Sequence, residues 1–171
     1  FLLARAESGD PIMVPREVYL GEVAADSVRA VRSLAERKHV ALAFTGSEDL
    51  PFRGDEALLR RLFVNLLDNA IKYTPPGGDV TLSAHRQNGY YLVTVADTGP
   101  GIPAEAQPHI FDRFYRSDRD RRASATSGAG LGLAIASWVA QTHGGTVSLE
   151  ASDSTGSRFA VRFPLSGVAS N

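Results

Sequence analysis

The chain has 171 residues, 18 Lys and Arg against 19 Asp and Glu for a net charge of −1, and no cysteine. That length suits one domain with a single core, and the evenly mixed charge gives no reason to expect a nucleic-acid or lipid surface. The missing thiols exclude disulfides and thiolate zinc sites and fit a reducing compartment, while no apolar run reaches the ~18 residues of a membrane span and no signal peptide is evident.

Residues 1–7 (FLLARAE) have a helical pattern stopped by Ser8-Gly9-Asp10-Pro11. The chain opens in mid-helix without methionine, so residues 1–10 read as the tail of a helix belonging to something longer, and residues 11–171 as the domain proper. A short strand is expected at 18–20, a helix over 21–38 with Val23, Val28, Val31, Leu34 and Ala35 inward, and a strand at 40–44. The helix over 55–73 has an unusual pattern. Leu59, Leu62, Phe63, Leu66, Ala70 and Tyr73 share one apolar side, with Val64, Leu67 and Ile71 on another. Between them Asn65, Asn69 and Lys72 at i, i+4 and i+7 point two amides and an ammonium the same way. Such a polar strip beside a core face reads as a site or as satisfaction of loop backbone. Thr74-Pro75-Pro76-Gly77-Gly78 ends the helix.

Residues 80–86 and 90–97 alternate with period 2 around Gln87-Asn88-Gly89, a hairpin signal. Residues 146–151 and 157–163 repeat the arrangement around 152–156. Each of the four has one apolar and one largely polar face. A sheet with one wet face is antiparallel or mixed, with its helices on the dry side. The expected fold class is α+β, a two-layer α/β sandwich. By strand parity Asp97 shares the inward face of Tyr91, Val93 and Val95, and Ser157 that of Phe159 and Val161. A carboxylate on a dry face is costly without a donor, and Thr98-Gly99-Pro100-Gly101 follows, where glycines let something flat approach the backbone. A ligand amino group would meet both side chains; a turn in which Asp97 caps its own backbone is the plainer alternative.

Gly128-Ala129-Gly130-Leu131-Gly132 opens a helix through Ile135, Ala136, Val139 and Ala140. Glycines before a helix N-terminus expose amide groups suited to phosphate, although a lone G-x-G-x-G is weak and both the Walker and dinucleotide fingerprints are absent. The polar run 116–127 reads as a solvated loop.

Taken in order, Asn65-Leu-Leu-Asp-Asn69-Ala-Ile-Lys72-Tyr73, Asp97-Thr-Gly-Pro-Gly101, Phe111-Asp-Arg-Phe-Tyr115, Gly128-Ala-Gly-Leu-Gly132 and Gly144-Gly145 with Gly156-Ser157-Arg-Phe159 resemble the N, G1, F, G2 and G3 boxes of sensor histidine kinases in the GHKL superfamily. The resemblance covers residues 16–164 and implies a Bergerat-type ATP-binding domain with a mixed, mostly antiparallel sheet and helices packed on one face. It implies that Asp97 accepts from the adenine amino group with Ser157 assisting through water, that Gly99 and Gly101 let the base approach, and that Tyr73 and Ile102 pack on it. Asn69 would ligate Mg²⁺ with Asn65 in support. Lys72 and Arg113 or Arg116 would contact phosphate, and the amides of Gly128, Gly130, Leu131 and Gly132 would cradle it. Residues 102–130 would form a lid pinned by Phe111 and Phe114.

Hydrolytic branches of the superfamily carry a glutamate one turn before the Mg²⁺ asparagine, where this chain has Asn65. An amide is no general base at neutral pH, so the resemblance implies phosphoryl transfer to an external histidine, with Asn65, Lys72 and the lid arginine as the catalytic set. None of His39, His85, His109 and His143 lies in a phosphoacceptor context. His143 and His39 read as helix-terminal residues favoured by the dipole, and His85 and His109 as surface residues. The acceptor would sit on an upstream dimerisation hairpin of which residues 1–10 are the remnant. The expected partners are that hairpin and a response regulator, with no nucleic acid. The piece itself is expected to be monomeric and soluble, a cytoplasmic domain of a homodimeric parent whose anchorage in the inner membrane is open. A GHKL ATPase, a non-catalytic nucleotide-binding module and a protein-serine kinase of the anti-sigma type are the alternatives.

Overall fold

The computed structural model describes residues 4, 13–116 and 130–169. Apart from Ala4, the expected hairpin remnant lies outside the described residues, as do Gly128 and most of the polar run. Strand β1 (Arg16–Tyr19) pairs antiparallel with β3 (Pro51–Gly54) as a separate two-stranded sheet. Sequence parity did not find β3, because four residues opening on proline carry too few alternations.

The helix expected over 21–38 is two helices, α1 (Leu20–Ala30) and α2 (Arg32–Lys38). The chain breaks at Val31, whose φ of −105° and ψ of 6° leave the helical well. Valine is a weak helix former, and the bend keeps Val31 and Ala35 buried while Leu34 is only half-buried. His39 closes α2 in the left-handed conformation, φ 60°. Strand β2 (Ala41–Gly46) follows.

Helix α3 (Glu56–Tyr73) takes the expected place. Its N-cap, Asp55, accepts from the Leu58 amide at 3.1 Å through one carboxylate oxygen and from the Val14 amide at 2.8 Å through the other. Leu59, Leu62, Phe63, Leu66 and Leu67 are 0% exposed. Full burial stabilises each such side chain by about 1.5–3 kcal/mol, so this helix is the core of the domain. At its other end the Thr74 hydroxyl donates to the Ala70 carbonyl at 2.7 Å, and the Lys38 ammonium donates to the carbonyls of Ile71, at 2.8 Å, and Lys72.

Strands β4 (Asp79–Gln87) and β5 (Tyr90–Asp97) form the expected hairpin, and β6 (Thr146–Asp153) and β7 (Gly156–Pro164) the second. The five-stranded sheet has the order β2-β4-β5-β7-β6, antiparallel except for the β2–β4 pair. Val80, Leu82, Tyr91, Val93, Val95, Phe159, Val161 and Phe163 are buried on one face, against α1, α3 and α4 (Gly132–Thr142). The Tyr91 hydroxyl, donating to the Pro51 carbonyl at 2.8 Å, ties the small sheet to the large one. The mixed two-layer sandwich is as expected. A β-bulge between Leu149 and Ala151 interrupts β6, which parity could not foresee.

Candidate active site

A cavity of about 760 Å³ opens between α3, the loop after β5, the segment leading into α4 and the near end of β7. Helical spacing puts Asn65, Asn69, Lys72 and Tyr73 of α3 along one wall. The Asn65 side-chain amide donates to the Gly132 carbonyl at 3.1 Å, joining α3 to the start of α4. The Lys72 ammonium lies 5.0 Å from the centroid of the Tyr73 ring.

Asp97, the last residue of β5, stands opposite Ser157 in the β5–β7 register, and both line the cavity. One carboxylate oxygen accepts from the Gly99 amide at 2.9 Å and the Ser157 amide at 3.3 Å. Burial pushes the carboxyl above the usual carboxylate range, and those two amides pull against the rise. Its second oxygen has no partner among the described residues and stands available to a donor. The Asx-turn alternative accounts for one oxygen, and the other is open to the ligand alternative.

The two glycines of this loop make close approaches to the protein's own carbonyls. A Cβ on Gly101, where φ is +80°, would lie 2.1 Å from the Asp153 carbonyl oxygen, and one on Gly99 would lie 2.9 Å from that of Tyr73. Gly101 lines the cavity with Ile102, whereas Gly99 is buried beneath Tyr73 and is not part of the wall. Gly99 therefore differs from its expected place: the close approach that needs its missing side chain is that of the α3 C-terminus.

Of the two arginines weighed, Arg116 lines the cavity and Arg113 is exposed away from it. Phe111 packs on the core, edge-on to Phe159 with centroids 6.1 Å apart. Phe114 is 66% exposed, so it does not pin the segment. Its amide donates to the Gly130 carbonyl at 3.1 Å and its φ is +62°, a backbone turn that carries the ring outward. Gly130, Leu131 and Gly132 line the cavity. Among the described residues no side chain caps the start of α4, which leaves first-turn amides for an anion. Gly128 and the rest of residues 117–129, part of the expected lid, lie outside the described residues.

His143 is the C-cap of α4, as its sequence position suggested, but it is 1% exposed. Its Nδ1 donates to the Val139 carbonyl at 2.8 Å and its Nε2 accepts from the Asp55 amide at 3.0 Å, so both nitrogens are used by the neutral ring. Burial holds its pKa below the ordinary value, and the dipole attraction of a cation is not what retains it. His85 and His109 are exposed, His109 beside Asp112 at 3.2 Å.

Among the wall residues not placed at the site from sequence are Arg61, Asp68, Lys38 and Leu34. Arg61 and Asp68 precede Asn65 and Lys72 by one turn each and could have been found by extending the helical strip. Lys38 and Leu34 come from α2 and join the wall only through tertiary packing. Behind the wall, Ser152 accepts from the Ile102 amide at 2.8 Å and bonds the Ser157 hydroxyl at 2.9 Å.

Among the described residues no group of three or more His, Asp or Glu could hold a metal by itself, and none of their helices is long and apolar enough to cross a membrane. The wall offers the Asn69 amide oxygen and few other protein donors. Such a set fits an ion that keeps waters and phosphate oxygens rather than one caged by protein.

A profile of the histidine kinase-, DNA gyrase B- and HSP90-like ATPases matches residues 54–167. The sensor histidine kinase RppB of Synechocystis is 39% identical over 170 residues, 98% of this chain and 37% of that protein. The adaptive-response sensory kinase SasA of Thermosynechococcus vestitus is 40% identical over 166 residues, 96% of this chain and 43% of that protein. The chain thus spans well under half the length of these relatives. Among solved structures, the mycobacterial sensor histidine kinase MprB superposes with a TM-score of 0.73 at 30% identity, covering 93% of this chain and all of that one. Full-length ShkA, in complex with AMPPNP, does so at 0.79 and 29%, covering 99% of this chain and 35% of that one. With Asp97 on the dry sheet face, the polar strip of α3 across the cavity and these relatives in hand, the chain belongs to the histidine kinase-, DNA gyrase B- and HSP90-like ATPases, as a catalytic domain of the sensor-histidine-kinase kind.

Proposed function

We propose that this domain binds Mg-ATP in the cavity and donates the γ-phosphoryl group to a histidine carried on an upstream helical hairpin, for relay to a response-regulator aspartate. The observation that carries the reading is Asp97. A half-buried carboxylate, with one oxygen fixed by two amides and the other turned to an open cavity, is built to accept from an amino group such as that of adenine. Tyr73 and Ile102 flank the base. The complex of ShkA with AMPPNP supports the same occupant here.

Lys72, Arg116 and the amides at Gly130–Gly132 meet phosphate, with Gly128 and Arg113 as further candidates from the lid. Asn69 would contribute an oxygen to Mg²⁺, which when bound would supply neutralisation of charge building on the phosphates. The acceptor is a neutral imidazole. Its nitrogen forms the N–P bond as the bond from the γ-phosphorus to the bridging oxygen breaks, and ADP leaves with that electron pair. The chain's own residues position the reactants and exclude water. Asn65 is committed to the Gly132 carbonyl and has no basic group to activate a water, which favours transfer over hydrolysis.

Residues 1–10 are the remnant of that hairpin in this reading, and residues 11–171 the ATP-binding unit. The parent would dimerise through the hairpin, with this domain in the cytoplasm.

Steady phosphate release measured without an acceptor tests the choice between transfer and hydrolysis. The reading expects ATP binding with negligible sustained release. Continuous turnover would make the domain a hydrolytic clamp, and Asp68→Asn would then be the first variant, because Asp68 is the other carboxylate on the wall among the described residues.

A further inference from the structure

Asp97, Ser157 and Ser152 stand side by side on β5, β7 and β6, paired across the sheet as Asp97 with Ser157 and Ser157 with Ser152. The last of these pairings depends on the bulge. Leu149 faces Phe159 and Ala151 faces Arg158, so Glu150 is the extra residue and the alternation of β6 is reversed beyond it. Without the bulge, parity from Val147 and Leu149 would turn Ala151 inward and Ser152 out.

Hydroxyl bookkeeping then favours one direction. Ser152 accepts from the Ile102 amide at 2.8 Å. Ser157, 2.9 Å away, is its one other partner among the described residues. Ser157 lines the cavity and Ser152 does not. The arrangement that uses every donor has the Ser152 hydroxyl donating to the Ser157 oxygen, which leaves the Ser157 hydrogen directed into the cavity. Beside it the second Asp97 oxygen can only accept while ionised. The floor of the cavity then presents an acceptor next to a donor, complementary to an amino group next to a ring nitrogen with a lone pair.

We infer that Ser152 is a specificity-determining positioning residue: delivered by the β6 bulge, it orients the Ser157 hydroxyl as a donor toward N1 of adenine, directly or across one water, and holds Ile102 against the base. This rests on the ATP reading above, and it assigns to a residue outside the wall the polarity of the contact inside it.

The two tasks of Ser152 separate by ligand. Holding Ile102 affects any adenine-like base, whereas orienting the hydroxyl matters only where N1 can accept. The experiment compares the affinity of ATP with that of 1-deaza-ATP, in which N1 is a C–H, for the wild-type domain and for Ser152→Ala, Ser152→Thr and Ser157→Ala, with Mg²⁺ present. The wild type is expected to prefer ATP by about three- to tenfold, the worth of one hydrogen bond. Ser152→Ala and Ser157→Ala should lose most of that preference, and Ser152→Thr, which keeps a hydroxyl, should retain it. A Ser152→Ala domain that binds both nucleotides more weakly by the same factor, with the wild-type ratio intact, overturns the inference and leaves Ser152 as a strut for Ile102. A wild type that binds neither nucleotide overturns the ATP reading itself. Because the readout is a ratio within one protein, a general loss of stability in any variant does not imitate it.

Discussion

Asp97 carries opposite consequences for binding and for stability. Burial raises its pKa, so the folded domain holds a proton there more tightly than the unfolded chain does. Its contribution to stability is therefore greatest at low pH and is lost as pH rises through the folded value, which makes ionised Asp97 a cost to the fold at neutral pH. Asp97→Asn should leave the melting temperature of the nucleotide-free domain unchanged or higher, while weakening ATP binding by about 10- to 150-fold, as expected for loss of a charge-assisted contact. Thermal melts and calorimetric titration of the same preparation check both halves. ATP affinity of the wild type should also fall as the medium is acidified toward the raised pKa. At this scale the sequence was readable where parity held: counting in twos from Tyr91 places Asp97 inward, and from Phe159 places Ser157 beside it. Counting in twos fails at Ser152 because one inserted residue reverses the face. Gly99 was misread for a different reason, since a glycine announces a close approach without saying what approaches.

Helix α3 is held at both ends by other elements. Asp55 caps its start and in turn gives its amide to His143 of α4, while Lys38 of α2 takes up the last carbonyls. The neutral state of His143 is part of this clamp. Its folded pKa lies below the unfolded value, so the stability it provides is fully present above about pH 6.5 and is lost as pH falls through the folded value. Chemical denaturation from pH 8 down to 5 should show that decline. His143→Ala should flatten that part of the profile at a cost of about 2–4 kcal/mol at pH 8, from the cavity and the orphaned Asp55 amide. Lys38→Ala should cost about 1 kcal/mol and also weaken ATP binding, because Lys72 and Tyr73 ride on the turn it caps; denaturant melts and nucleotide titration read the two effects. The existence of α3 and of both hairpins was legible from periodicity alone. The break at Val31 and the brief β3 were not, because each is settled by what the segment packs against.

Across the whole molecule, the sheet's wet face, its dry face and the helices upon it follow from composition patterns that any reader of the chain could count. The assembly of the site does not. Lys38, Asp97 and Arg116 reach one cavity from three distant stretches, and no local spacing announces that meeting. The motif order did so only through resemblance to a family whose arrangement is already known. At this scale the expectation is that Asn69→Ala abolishes Mg²⁺-dependent phosphoryl transfer while leaving the melting temperature within a few degrees, since Asn69 is half-buried on the cavity wall rather than in the core. The central claim is that this domain is a phosphoryl donor. Its most direct test is to incubate it with γ-labelled Mg-ATP and a separately prepared, folded hairpin from the parent protein, then assay the hairpin for acid-labile label. The account predicts label on the hairpin histidine and none on the domain; ATP binding with no label on the folded hairpin would contradict it.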